Sequence, residues 1–533
     1  MSPTLKHMSD WTPNDVVRTT SGRVGGLSTT ATDTTPAVRT WRGVPYGRAD
    51  RFRAPTSPHP WKEIKDCTHY ASVAAQPTYG PSDRIRGSED CLNLDIVRPD
   101  HDRPLPVVVY FHGGSFVYGS SHEQLLRGHH LATSMDVVYV AINFRLGALG
   151  YLDLRSLGDD CVANPAILDQ LLALKWIQAN VQAFGGDPTN VTVMGESAGG
   201  AAVLTLMCTP TAMGLFHKAI AQSPPIAAIH SKAQSTLWAG MLAQRLGVNT
   251  LKELRGLPVA DIIRAGQSMM WRSRELIYLN SCYSPTVDGT TLFEHPLKVF
   301  ERGQQLKVPL LVGTNVDETS FAKGMYLRSK ARTRAAHRVL TTFDPHSADH
   351  VLGVYQGAKR RRDFAQLIAD GVFWAPSIAA AQAHSTVAQT WMYRFDFAPA
   401  LLRWLGLGAM HSMELTPIFG DMNASRMSSL NVRNSRVALE QLGEQMQFHW
   451  ARFIHHGQPG EAWPSYHTAG DTEPGRATMV FDRESRVIYD PYSQRRRAWS
   501  EYDMTEWGLG REDLLRALGL YEEPTYFAPL ELE

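Results

Sequence analysis

Several short runs along this 533-residue chain are apolar without alternation. Pro106–Phe111 (PVVVYF), Val137–Phe144 (VVYVAINF) and Val308–Gly313 (VPLLVG) are the clearest. A strand apolar on both faces is one covered on both faces, as in a parallel sheet sandwiched between helices. Leu94–Arg98, Lys218–Gln222 and Trp391–Phe397 read as further strands. Val16–Val24 and Ala37–Val44 alternate and are broken by glycine, which predicts an antiparallel pair at a sheet edge. Ala166–Phe184 carries apolar residues at three- and four-residue spacing, the pattern of an amphipathic helix, and Gly185-Gly186-Asp187-Pro188 stops it. Residues 232–270 read as an inserted helical cap and Leu439–His456 as a long helix. The sum is an α/β fold: a central, mostly parallel or mixed sheet with helices on both faces and helical insertions. No repeat and no linker divides the chain into two cores.

One turn stands out against this pattern. Val191-Thr192-Val193 is a β-branched strand end, and Ala198–Met207 (AGGAAVLTLM) is a helix of small residues. Between them lies Gly195-Glu196-Ser197-Ala198-Gly199, a Gly-x-Ser-x-Gly turn in which strain lifts a serine hydroxyl clear of a sheet. The glycines leave room where side chains would collide. A plain tight turn would need neither the serine nor both glycines.

A serine hydroxyl needs a histidine to take its proton, an acid to hold that histidine, and donors for the oxyanion. His112-Gly113-Gly114-Ser115-Phe116 follows the strand at Val107–Tyr110 and offers backbone N–H groups on the same sheet edge as Ser197. The strand Val308–Gly313 runs into Thr314-Asn315-Val316-Asp317-Glu318, where two carboxylates compete and spacing does not separate them. Among the later histidines, His411 differs from those on helical or surface-like stretches, because it sits on a loop after the strand Trp391–Phe397.

Composition excludes more than it assigns. Lys+Arg total 53 and Asp+Glu 52, so no global charge argues for nucleic acid or an anionic membrane. The basic runs Lys359–Arg362 and Arg495–Arg497 lack interleaved aromatics and read as solvated surface. The first residues lack the apolar core of a signal peptide, and no apolar run approaches the length of a membrane span. Five cysteines, Cys67, Cys91, Cys161, Cys208 and Cys282, share no metal-ligand spacing. A cytoplasmic protein is expected.

Taken in order, the motifs resemble the type-B carboxylesterase family, which includes cholinesterases and bacterial para-nitrobenzyl esterases. The likeness runs from about Val16 to Trp499. It rests on Gly43-Val44-Pro45-Tyr46, Ser88-Glu89-Asp90-Cys91-Leu92-Asn93-Leu94, the His112–Phe116 loop, Leu168-Asp169-Gln170, Phe184–Pro188 and the turn at Ser197. Later matches are Gly214-Leu215-Phe216-His217, Asp288-Gly289, Gly313–Glu318, His411-Ser412-Met413-Glu414-Leu415 and Trp463-Pro464. The resemblance implies an α/β-hydrolase fold and a serine hydrolase that cleaves carboxylic esters through an acyl-enzyme. It implies Ser197 as nucleophile, His411 as base, Glu318 rather than Asp317 as acid, and the N–H groups of Gly114, Ser115 and Ala198 as oxyanion donors. Gly113 is then the turn residue before those donors, and Ser223 a serine that hydrogen-bonds near the triad.

The implied substrate is a small-molecule ester; no cofactor, metal, nucleic-acid partner or membrane span is expected, and monomer and homodimer both stay open. The implied domain covers residues 15–500, with an extension at 1–14 and a tail at 501–533 that reads as a docked helix at Arg511–Leu520 in preference to a loose extension. Two other readings share the fold: a non-catalytic adhesion-type relative, although those have usually lost a triad residue, and an amidase or carbamate hydrolase using the same triad. The chain departs from the family at Ser115, where the third glycine of the loop would stand, so a hydroxyl narrows the acyl side. The family often pairs the cysteine of Glu-Asp-Cys, here Cys91, but the nearest earlier cysteine is Cys67, set too far back for that disulfide to be expected. Gln76–Arg86 contains Tyr79 as its one aromatic, where cholinesterases carry a tryptophan for the ammonium group, so choline esters are not favoured.

Overall fold

The computed structural model describes residues 15–32, 36–79, 84–272, 281–424, 433–467 and 475–519. Its central sheet has eleven strands. In chain order these are β1 (Leu27–Thr29), β2 (Val38–Pro45), β3 (Asn93–Pro99), β4 (Leu105–Phe111), β5 (Val138–Ile142) and β6 (Gly186–Glu196). There follow β7 (Lys218–Gln222), β8 (Leu310–Asn315), β9 (Thr390–Phe395), β10 (Ala477–Phe481) and β11 (Arg486–Tyr489). The spatial order is β11-β10-β9-β8-β7-β6-β4-β5-β3-β2-β1. Every pair from β5 through β10 is parallel, and the pairs at both edges are antiparallel. This is an α/β-hydrolase fold.

Period-two alternation divides the core between the two faces of the sheet. On β4, Val107, Val109 and Phe111 point to one face and Val108 and Tyr110 to the other. The first face is covered by α1 (Pro165–Asn180) and α2 (Ala198–Met207), through Leu171, Leu174, Val203 and Leu204. The second is covered by a long helix, Arg433–His456, through Leu442, Met446, Trp450 and Phe453. With apolar helices on both sides, the central strands are buried along their whole length.

Three expectations change. Val16–Arg18 pairs with Arg23–Gly25 in a separate small sheet completed by Ile64–Asp66, while Val38–Pro45 pairs with Leu27–Thr29 and β3. The chain doubles back at Ser21-Gly22, too early for the two alternating runs to meet. Next, α1 is buried nearly all round, with only Lys175 and Ala179 exposed, because it is enclosed between the sheet and outer segments. Lastly, the helical stretch Arg361–His384 is long and apolar enough to cross a membrane, with mean hydropathy 1.3, but 78% of that window is buried in the core.

The cap residues form helices at Lys232–Leu246, Leu251–Gly256 and Val259–Arg272. Of the expected tail, Glu512–Ala517 is helical, and the segment before it is docked: the Tyr502 hydroxyl donates to Leu340 O at 2.7 Å, and Trp507 is buried. The extension at 1–14 and residues 520–533 lie outside the described residues. All five cysteines are free.

Candidate active site

The carboxyl ends of β4, β6 and β8 lie along one edge of the sheet, with β7 between β6 and β8, and each feeds a loop carrying one part of the site. Ser197 sits at the junction of β6 and α2 with φ 57 and ψ −123, a conformation in which an L residue is strained. Backbone packing enforces the turn. A Cβ on Gly199 would stand 1.9 Å from Phe111 O, and one on Gly195 would stand 2.4 Å from Gly199 O. The Ser197 N–H donates to Gln222 O at 2.9 Å, which ties the turn to β7. The side chain of Ser197 faces a cavity of about 700 Å³.

The loop after β4 bounds the same cavity through His112, Gly113, Gly114 and Ser115. Gly113 lies so close that a Cβ there would stand 3.2 Å from Ser197 Cβ. Gly114 has φ 116, and Ser115 and Phe116 have φ 54 and 63, so this non-glycine pair is held in left-handed backbone. The Ser115 side chain is exposed and lines the cavity. Among the described residues, the N–H groups of Gly114, Ser115 and Ala198 find no acceptor within the protein. The Gln76 amide braces this loop, donating to Gly119 O at 2.8 Å and accepting from Gly119 N at 3.0 Å.

His411 and Glu318 meet although 93 residues separate them. His411 Nδ1 lies 2.6 Å from Glu318 Oε2, and the other carboxylate oxygen accepts the Ser223 hydroxyl at 2.5 Å and the Asn315 N–H at 2.7 Å. Asp317, the competing acid, turns away and accepts from Ala409 N at 3.3 Å. The His411 ring packs against Phe373, centroids 4.6 Å apart, which a π-helical turn at Asp370–Trp374 directs toward it. His411 Nε2 faces Glu196 Oε1 at 3.2 Å, and no hydrogen bond joins it to Ser197 Oγ in this structure.

Three further residues belong to this cluster and were not read from the sequence as site residues: Glu196, Ser412 and Glu414. Glu196 accepts the Ser412 hydroxyl at 2.6 Å. Glu414 is fully buried and accepts from Asn315 Nδ2 at 2.6 Å. All three stand within the quoted motifs, but nothing in their spacing shows that they converge on one imidazole. Burial pushes the Glu414 carboxyl up to about 8. Burial also raises Glu196, against the pull of His411. For His411 burial acts downward, but Glu196 and Glu318 outweigh it and push the imidazole up to about 10. No group of His, Cys, Asp and Glu suited to a metal ion occurs among the described residues.

A displayed serine, a glycine-rich loop with free N–H groups, and a histidine backed by a glutamate, all on one edge of an α/β-hydrolase sheet, define the class of serine esterases and their kin. The carboxylesterase family matches residues 13–478, and the chain belongs to that family. It is 34% identical to the para-nitrobenzyl esterase of Bacillus subtilis (strain 168) over 501 residues, covering 91% of this chain and 98% of that protein. It is 30% identical over 490 residues to bovine carboxylesterase 4A, covering 80% and 86% of the two chains. Among solved structures, a PNB esterase superposes with a TM-score of 0.78 at 32% identity, covering 91% of this chain and all of the other. A Geobacillus stearothermophilus carboxylesterase does so with a TM-score of 0.78 at 29% identity and the same coverage. The protein is a carboxylic-ester hydrolase.

Proposed function

We propose that Ser197 attacks the ester carbonyl while His411 takes its proton, with Glu318 holding the imidazole by Nδ1 and stabilising its cationic form. The tetrahedral oxyanion is held by the N–H groups of Gly114, Ser115 and Ala198, with Gly113 as the turn before them. His411 then protonates the departing alcohol, and a water repeats the sequence on the acyl-enzyme. Ser223 keeps the Glu318 carboxylate oriented. The observation that carries this reading is convergence: the strained serine, the unoccupied N–H groups and the Glu318-backed imidazole border one cavity. His411 must swing its Nε2 from Glu196 to Ser197 for the first step.

The cavity volume suits a small-molecule ester. Its wall combines apolar groups such as Leu125, Phe397, Met413 and Leu415 with Tyr79, which stacks on Tyr118 at 4.7 Å. Residues 15–500 are the catalytic unit in this reading, flanked by 1–14 and 501–533. Five unpaired cysteines favour a reducing compartment, the cytoplasm. Ser197→Ala should lower kcat for p-nitrophenyl butyrate by about 10⁵–10⁶, as loss of a serine nucleophile does. A variant that kept most of its activity would overturn the assignment.

A further inference from the structure

A general base works best with a proton affinity near the operating pH, and although burial acts downward on His411, the carboxylates around it raise it above the ordinary imidazole range. Three buried carboxylates, Glu196, Glu318 and Glu414, cause this. Glu318 is needed on Nδ1. Glu414, pushed up to about 8 by burial, is engaged by Asn315 Nδ2 at 2.6 Å. That leaves Glu196, whose Oε1 faces the nitrogen that has to be free. The same oxygen accepts the Ser412 hydroxyl at 2.6 Å. Ser412 reaches it from a left-handed backbone, φ 68, which a residue bearing a Cβ adopts at a cost.

We infer that Ser412 is a positioning residue for ester hydrolysis: its hydroxyl engages the Glu196 oxygen that faces His411 Nε2 and so weakens the hold of that carboxylate on the imidazole, which must turn to Ser197. This rests on the assignment of Ser197 and His411 made above. Other titratable groups surround the cluster: Tyr110 and His112 from β4 and its loop, Asp317 beside Glu318, Tyr393 from β9, and Arg86 with Glu123 across the cavity. Among the described residues, Glu196 alone shares one oxygen between Ser412 and His411.

The consequence follows from counting donors. When Glu196 is ionised and His411 neutral, the reactive state, Ser412 supplies a donor that Glu196 otherwise lacks. When the pair holds one more proton, that proton itself joins Glu196 and His411, and the serine contributes less. Removing the hydroxyl therefore weakens the reactive state more, and the pair gives up its proton at higher pH.

The test is the pH dependence of kcat/KM for p-nitrophenyl butyrate in the native enzyme, Ser412→Ala and Ser412→Gly. Both variants should move the acid limb upward by about one pH unit, the size expected for a lost hydrogen bond to a charged group. The loss is then about tenfold below the limb and shrinks as pH rises. Ser412→Gly also relaxes the left-handed backbone, so it should unfold no more readily than the native enzyme, and a shift in both variants isolates the hydroxyl from stability. In a Glu196→Gln background Ser412→Ala should produce no further shift, because the charge it engages is gone. An acid limb that stays put in both Ser412 variants would overturn the inference, as would an undiminished shift in the Glu196→Gln background. Fluorophosphonate labelling of the native enzyme separates the two levels: label with an unmoved limb rejects Ser412 alone, whereas no label rejects the Ser197 assignment as well.

Discussion

Glu318→Gln changes one atom and no volume, yet it should nearly abolish turnover. In the native site Oε1 accepts two donors, the Ser223 hydroxyl and the Asn315 N–H, while Oε2 accepts from His411 Nδ1. A glutamine has one acceptor oxygen for these two places. If the oxygen occupies the Oε1 position, the amide NH₂ points at His411 Nδ1 across 2.6 Å, and that nitrogen must become the acceptor. The ring proton then moves to Nε2, the atom that receives the serine proton in the proposed mechanism. If the amide is flipped, its NH₂ faces the Asn315 N–H, a backbone donor that cannot reverse, and a buried N–H is stranded at a cost of about 1–3 kcal/mol. The first arrangement is the better of the two, and it locks the wrong tautomer. A loss of about 10⁴ in kcat is expected, which corresponds to about 5 kcal/mol of transition-state stabilisation. The assay is p-nitrophenyl butyrate hydrolysis at neutral pH, with circular dichroism to establish that the fold is intact. Asp317→Asn is the control: among the described residues its carboxylate accepts the Ala409 N–H at 3.3 Å and makes no hydrogen bond to His411, so kcat should stay within about threefold. A folded Glu318→Gln enzyme within about tenfold of native activity would refute this account of the histidine, since removal of an orienting acid costs far more.

Two other substitutions probe the frame around the site. Gly199→Ala places a methyl 1.9 Å from Phe111 O, and relief must separate α2 from the loop after β4, so the proposed donors Ala198 N and Gly114 N no longer converge. Misplacement by about 1 Å costs on the order of 10² in kcat, and a variant with near-native kcat would show that the turn tolerates the shift. Asp169→Ala removes the partner of Arg145, whose guanidinium donates to Asp169 at 2.7 and 2.8 Å with both side chains buried. Urea unfolding should report a loss of about 3–5 kcal/mol, because a buried charge is left unpaired.

The sequence alone carried the local facts. Strands apolar on both faces could only be central strands of a covered sheet, and β4, β5 and β8 are such strands. The Gly-x-Ser-x-Gly turn and the glycines after β4 are set by short-range sterics, so their conformation is legible from a few residues. Edge pairing was not, because two alternating runs do not say which partner each will meet, and a tight turn at Ser21-Gly22 redirected the first. The burial of α1 was hidden as well, since the segments that enclose it lie elsewhere in the chain. Asp317 and Glu318 are adjacent and chemically alike, and from the residues alone they stayed equivalent. Their environments differ once folded: Glu318 is enclosed by Ser223, Asn315 and His411, while Asp317 turns to Ala409. Ser412 and Glu196 stand 216 residues apart, and only the packing of β6 against the His411 loop brings hydroxyl and carboxylate together. Short-range sterics and patterning determined the nucleophile turn and the layers. Long-range packing decided which charges surround the base, because burial and proximity belong to the folded chain and not to any one segment of it.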